Sequence, residues 1–299
     1  MSEAGNARIL NKNIFWKRFG DPSKPTLVLL HGLGRSMEQW RFVVEELSKH
    51  FDVFLFDLVG YGASDDFEPA EINVSFPIWL MDELFAKFKI ERPILLGESF
   101  GGLLALEYTL KRQQNVSKLV LMDSAGLGRE ISIRYRIATI PIVGEAIVLE
   151  DHRNAGHEGI NFKDPYAVPR MVFNLIRFAY LRLFKPGDPN RILTRSDFNN
   201  LRLLRYGVGI FGQKYTIRRE RQLKRIKIPT LIMHGLEDKI FPSYQAVRAY
   251  EQLPNPWGNG PVFFKEGKHF PLGDRADEVL DYVNIRKFLD IVVEFGLSE

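Results

Sequence analysis

Six short apolar runs punctuate the chain, each ending in a turn signal: TLVLLHG (26–32), FDVFLFD (51–57), PILLGES (93–99), SKLVLMD (117–123), TLIMHG (230–235) and VFFKEG (262–267). They are continuous rather than alternating, the pattern of strands covered on both faces in a parallel sheet. Segments with helical spacing of apolar residues lie between them, at 40–49, 78–88, 103–112, 244–252 and 279–295. Strand and helix alternate, which predicts an α/β class with a doubly wound, mostly parallel sheet.

From 125 to 226 the alternation stops. Helix-like pieces such as RMVFNLIRFAYLRLF (170–184) replace it, separated by FKDPYAVP and KPGDPN. The pattern predicts a core formed by 1–124 and 227–299, with an inserted all-helical cap at 125–226. A helical insertion between two strands of such a sheet is expected over the strands' C-terminal ends, the edge where open α/β sheets bind ligands.

Composition changes this picture mainly by exclusion. An apolar fraction of 45% and a charged fraction of 26% over 299 residues are those of a globular protein able to bury a large core. The chain has no cysteine, which excludes disulfides, thiolate metal sites and a cysteine nucleophile. Residues 1–18 lack the apolar run of a signal peptide, and 137–149 is too short and too interrupted to span a bilayer. A cytoplasmic location is the expectation. Net charge is +4, with 19 Lys and Arg against 9 Asp and Glu in 126–226. These cations are dispersed among apolar residues rather than clustered, so a solvated basic face is expected and a nucleic-acid partner is not.

The chemistry concentrates at Gly97-Glu98-Ser99-Phe100-Gly101, a G-x-S-x-G element between a predicted strand and a predicted helix. A serine on so sharp a turn is strained and exposed, and the flanking glycines leave room for the turn, so Ser99 reads as a nucleophile. A nucleophilic serine needs a base and an acid, in the chain order Ser, acid, His. Of six histidines, His31 and His50 precede Ser99, His152 and His157 fall in the helical segment, and His234 precedes the acid candidates. His269, in KEGKHFPLGD, satisfies the order. The loop HGLEDKIFP (234–242) offers Glu237 and Asp238, of which Asp238 is favoured; Asp123, ending SKLVLMD, is the alternative acid. Oxyanion donors are expected from the backbone N–H groups of Phe100 and of Leu33 in LLHGLGRS, with His31 as a structural hydrogen-bonding residue. Catalysis requires neutral His269, so activity should rise with pH through a single ionisation near about 6.5.

Taken together, HGLG (31–34), DLVGYGASD (57–65), GESFGG (97–102), GLEDKIFP (235–242) and GKHFP (267–271) resemble the α/β-hydrolase superfamily, in its group with a helical cap after the sixth strand. The resemblance runs from about Ile14 to Phe295. It implies a cofactor-free hydrolase with its active site between core and cap. Serine at the elbow departs from the epoxide-hydrolase and haloalkane-dehalogenase branches, which carry aspartate there. The oxyanion loop lacks the GPG run of many C–C bond hydrolases and proline iminopeptidases.

Two lookalikes are set aside. VGYGASD (59–65) lacks the third glycine of a dinucleotide fingerprint and reads as a structural turn. His152 and His157 are five apart, a poor spacing for two ligands on one helical face, so no metal is expected. The reading is a serine esterase acting on a small, apolar acyl substrate, without cofactor. A slow-turnover ligand receptor on the same fold, a C–C bond hydrolase and a cofactor-free perhydrolase are the alternatives. The apolar residues of 170–184 are expected to pack internally or line an acyl pocket, so no membrane contact is expected; self-association stays open.

Overall fold

The computed structural model describes residues 2–153, 166–184, 193–265, 267–270, 272 and 279–298. In chain order the first half runs β1 (Ser2–Ile9), β2 (Lys12–Phe19), β3 (Thr26–Leu30), α1 (Val44–Leu47), β4 (Asp52–Phe56), α2 (Ser75–Phe88), β5 (Ile94–Glu98), α3 (Phe100–Arg112) and β6 (Lys118–Met122). There follow α4 (Ile133–Ile137), α5 (Val143–Arg153), α6 (Ala167–Phe184), α7 (Arg195–Gly207), β7 (Val208–Gly209) and β8 (Gly212–Gln213). The chain ends with β9 (Thr230–Gly235), α8 (Tyr244–Gln252), β10 (Val262–Phe264) and α9 (Val279–Leu297). The chain divides into two compact units, Met1–Glu130 with Ile217–Glu299, and Ile131–Thr216.

The first unit is built on an eight-stranded sheet in the order β1-β2-β4-β3-β5-β6-β9-β10. From β4 to β10 the pairs are parallel, and β1 and β2 add an antiparallel edge. Every residue of β4, β5, β6 and β9 is buried, which is why those runs read as unbroken apolar stretches. One face of the sheet packs Leu47 of α1 and Phe288, Leu289, Val292 and Phe295 of α9 against Leu29, Leu55, Leu96 and Val120. α3 follows β5 directly and buries Leu103, Leu104 and Leu106.

The sequence pattern misses the β1–β2 hairpin. SEAGNARI carries polar residues and a glycine, and most of β1 is exposed at the sheet edge, so it has no apolar signature. Its two-residue turn, Leu10-Asn11, adopts positive φ at both positions (46° and 65°). That is the turn geometry matching the twist of paired strands. The helix expected at 40–49 is shorter than its pattern: a 3-10 turn at Met37–Trp40 precedes α1. The β-branched Val43-Val44 pair at the junction is a poor helix former.

In the second unit α7 begins with a capping box. Thr194 Oγ1 accepts from Asp197 N at 3.3 Å while Thr194 N donates to the Asp197 carboxylate at 2.7 Å. The unit is mainly helical, and a two-residue antiparallel ladder, Val208↔Gln213 and Gly209↔Gly212, adds a small hairpin that its apolar pattern does not announce. Among the described residues no helix is long and apolar enough to cross a membrane.

Candidate active site

Ser99 joins β5 to α3 with φ 53° and ψ −113°, a backbone conformation that L residues rarely adopt. The surrounding structure holds it there: Ser99 N donates to Met122 O at 3.0 Å, and Ser99 O accepts from Leu103 N (3.1 Å) and Ala125 N (3.0 Å). The glycines have a steric reason. A Cβ on Gly97 would stand 2.2 Å from Gly101 O, and one on Gly101 would stand 2.3 Å from Leu30 O. Strand, turn and helix are packed backbone to backbone, so the serine side chain is thrown outward.

His269 follows β10, and its Nε2 lies 2.8 Å from Ser99 Oγ. Its Nδ1 lies 2.9 Å from Asp238 Oδ2. Asp238 stands in the loop after β9, where its Oδ1 accepts from Ile240 N (2.6 Å) and Phe241 N (3.1 Å). Ser99, His269 and Asp238 thus form one hydrogen-bonded line across three loops at the C-terminal ends of parallel strands. Burial works to raise the Asp238 carboxyl, but the charge and hydrogen bond of His269 outweigh it and hold the group below its ordinary range. Burial likewise works to lower His269, but the charge and hydrogen bond of Asp238, joined by the charge of Glu98, leave its pKa raised. The ionisation expected near the ordinary histidine value is therefore displaced upward.

The loop after β3 approaches the serine closely, since a Cβ on Gly32 would be 3.4 Å from Ser99 Cβ. Among the described residues neither Leu33 N nor Phe100 N donates to another backbone carbonyl. His31 is structural, as expected: it is fully buried, its Nδ1 meets Gly32 O at 2.9 Å, and its Nε2 accepts from Leu58 N at 2.9 Å. Burial pushes its pKa down to about 4, so it is neutral and fixes the turn.

Sequence reasoning passed over Glu98. Its side chain is buried; Oε1 lies 3.4 Å from His269 Nε2 and Oε2 accepts from Gln39 Nε2 at 3.3 Å. Gln39 Oε1 in turn accepts from Gly32 N at 3.2 Å. One chain of polar contacts therefore links the oxyanion loop, the elbow and the histidine. Burial raises the Glu98 carboxyl to about 6, against the lowering pull of His269 and Arg35. An ionisable residue immediately before the serine, at the variable position of G-x-S-x-G, was the available signal.

Asp123 does not meet His269. It follows β6 with φ 45°, and its Oδ1 accepts from Gly235 N at 2.9 Å and faces His234 Nδ1 at 3.6 Å. Burial first, then the Asp238 charge, pushes its carboxyl well above the ordinary range. Glu237 is exposed. Ligand atoms of Asp123, His234 and Asp238 lie within 4.8 Å of one another. The set fits a metal poorly. Asp238 already engages His269 and two backbone amides, and His234 Nε2 lies 3.1 Å from Phe241 O. The turn at 57–65 is structural as expected: Asp57 accepts from Met37 N (2.8 Å) and Ala63 N (2.8 Å), and Gly62 has φ 52° with its missing Cβ filled by that carboxylate. The side chains of His152 and His157 lie outside the described residues.

Residues 25–141 match a family model described as the alpha/beta hydrolase fold. An uncharacterised protein of Mycobacterium tuberculosis is 28% identical over 280 residues, covering 90% of this chain and 76% of its own. The pimeloyl-[acyl-carrier protein] methyl ester esterase of Proteus mirabilis is 34% identical over 116 residues, 39% of this chain and 42% of its own. Among solved structures, a bacterial membrane phospholipase A superposes with a TM-score of 0.70 at 21% identity, covering 97% of this chain and 86% of the other. The sheet order, the strained elbow and these matches agree that the chain has the α/β-hydrolase fold.

Proposed function

We propose that this protein is a serine hydrolase cleaving carboxylic esters or closely related acyl compounds without a cofactor. The observation that carries the reading is the strained Ser99, whose Oγ lies 2.8 Å from His269 Nε2 while His269 Nδ1 lies 2.9 Å from Asp238. Ser99 Oγ attacks the acyl carbon and His269 Nε2 takes its proton. The carbonyl oxygen becomes an oxyanion held by Leu33 N and Phe100 N. His269 then gives its proton to the leaving alkoxide, and an acyl-serine remains. Water, deprotonated by the same nitrogen, then attacks the acyl carbon, and the acyl–Oγ bond breaks as His269 returns that proton to Ser99. Asp238 holds the imidazole in the productive tautomer and stabilises its charged form.

The ester class is supported by the Proteus relative, which acts on a methyl ester of a carrier-bound acyl chain. The substrate of this chain is read as a small, apolar acyl compound. The test is a fluorophosphonate probe with peptide mapping, alongside steady-state hydrolysis of p-nitrophenyl butyrate. One label on the Ser99 peptide, lost in Ser99→Ala together with sustained turnover, supports the reading. Persistent labelling of Ser99→Ala overturns the nucleophile. One burst followed by a stall points to a slow ligand receptor instead.

A further inference from the structure

The second unit exposes several large apolar side chains on its hairpin tip and on α4. The β7–β8 ladder closes at Gly209↔Gly212, so Ile210 and Phe211 are the two residues of its turn. Hairpin turns of that length favour Gly, Asn and Asp, which suit the backbone and solvent. Here Ile210 is 56% exposed and Phe211 78%. Tyr215, just beyond β8, is 73% exposed. The hairpin is anchored to α4, because Arg136 Nε donates to Ile210 O at 2.6 Å. α4 adds Ile133, 60% exposed, and the exposed Ile137, one turn further along the same helical face.

The charged residues of the two segments that carry these side chains have one sign. Segments 131–140 and 202–216 together contain Arg134, Arg136, Arg202, Arg205 and Lys214 and no Asp or Glu. Arg205 meets Glu145 of α5, while Arg202 and Lys214 are exposed. α6 shows the same character: Val172, Phe173, Ile176 and Tyr180, spaced to share one helical face, are exposed. The expectation of no membrane contact took those residues as internally packed, and their exposure removes that premise.

We propose that the α4 edge and the β7–β8 hairpin tip form an interfacial docking surface for an anionic lipid bilayer. Exposed apolar and aromatic side chains on two segments whose charged residues are all cations complement a surface that is negative at its headgroups and apolar just beneath. The hairpin tip enters the headgroup boundary, and Arg202 and Lys214 meet lipid phosphates. The proposal does not depend on the hydrolase reading, since it concerns binding.

Sedimentation of the full chain with vesicles tests it. Phosphatidylcholine vesicles containing phosphatidylglycerol should bind the protein, pure phosphatidylcholine should bind it far less, and salt should weaken the anionic binding. Phe211→Asp should lower the partition coefficient at least about tenfold, as loss of one buried aromatic side chain implies. Ile133→Ser, on the neighbouring helix, should lower it in the same direction. Both positions are exposed, so thermal melting should match the parent and exclude misfolding as the cause. No binding to either vesicle overturns the proposal. So does binding by Phe211→Asp equal to the parent, or equal, salt-insensitive binding to both lipids. A dimer in gel filtration that Phe211→Asp dissolves, without vesicle binding, assigns the surface to a second copy instead.

Discussion

Glu98 Oε1 stands 3.4 Å from His269 Nε2, the same nitrogen that Ser99 Oγ meets at 2.8 Å. The imidazole is therefore flanked by two carboxylates, Asp238 on Nδ1 and Glu98 beside Nε2, with Arg35 opposing them and His234 facing Asp238. A histidine so placed charges more readily than an isolated one. Its protonated form is stabilised twice.

The first expected outcome is an acid limb of kcat/KM lying above the ordinary histidine value of about 6.5, because the His269 pKa is raised and only its neutral form accepts the serine proton. Glu98→Gln removes one of the charges that raise it, so the limb should move to lower pH. A shift of about one unit corresponds to a lost interaction of roughly 1.4 kcal/mol. A purely structural role for Glu98 would scale the whole profile down without moving its midpoint, and pH–rate profiles of both proteins separate the cases.

Asp238→Asn should lower kcat by a factor on the order of 10⁴, because an amide on Nδ1 stabilises the wrong tautomer and no imidazolium charge. Asp123→Asn should cost far less. Asp123, whose carboxyl burial pushes upward, accepts from Gly235 N, and an amide oxygen can accept the same bond. Turnover of the two variants on one soluble ester decides between them, and the reverse ranking would return the acid to Asp123.

Gly101→Ala should destabilise the fold by about 1–3 kcal/mol or more, since its Cβ would meet the Leu30 and His31 carbonyl oxygens at 2.3 and 2.6 Å and neither backbone can yield freely. Gly5→Ala is the contrast: its Cβ finds only ordinary contacts at 3.7 Å and beyond with Trp16. That substitution should change stability by less than about 0.5 kcal/mol, as remote surface changes usually do. Urea unfolding of both variants provides the comparison.

For the acyl chain, each methylene buried by the substrate contributes about 0.8 kcal/mol. If the acyl site is apolar, kcat/KM should rise roughly three- to fourfold per carbon until the site ends. Esters from butyrate to octanoate should then exceed both acetate and palmitate. A monotonic fall from acetate would instead indicate a small or polar site.

The sequence by itself determined the doubly wound sheet and the chain order of the serine, carboxylate and histidine that the fold lines up. Continuous short runs such as TLVLL and ILLGE, bounded by turn signals, have the pattern of strands covered on both faces, and the glycines around Ser99 leave room for a sharp turn. Chain order also singled out His269, and the tertiary structure brings it to Ser99 across 170 residues of separation. The β1–β2 hairpin was hidden because an edge strand is stabilised by backbone pairing, which leaves little trace in apolar pattern.

What only the tertiary structure decided are relationships between residues far apart in the chain. Asp238 and Asp123 are both carboxylates at strand ends; which one meets His269 depends on where the loops after β6 and β9 lie, and no local pattern encodes that. Glu98 looked like filler in a motif until burial and folding set it beside the imidazole and under Gln39. The same holds for Phe211 and Ile210, since an apolar residue reads as core in any sequence window. Its exposure is a property of the folded surface, because burial is a sum over neighbours that the chain brings together only in three dimensions.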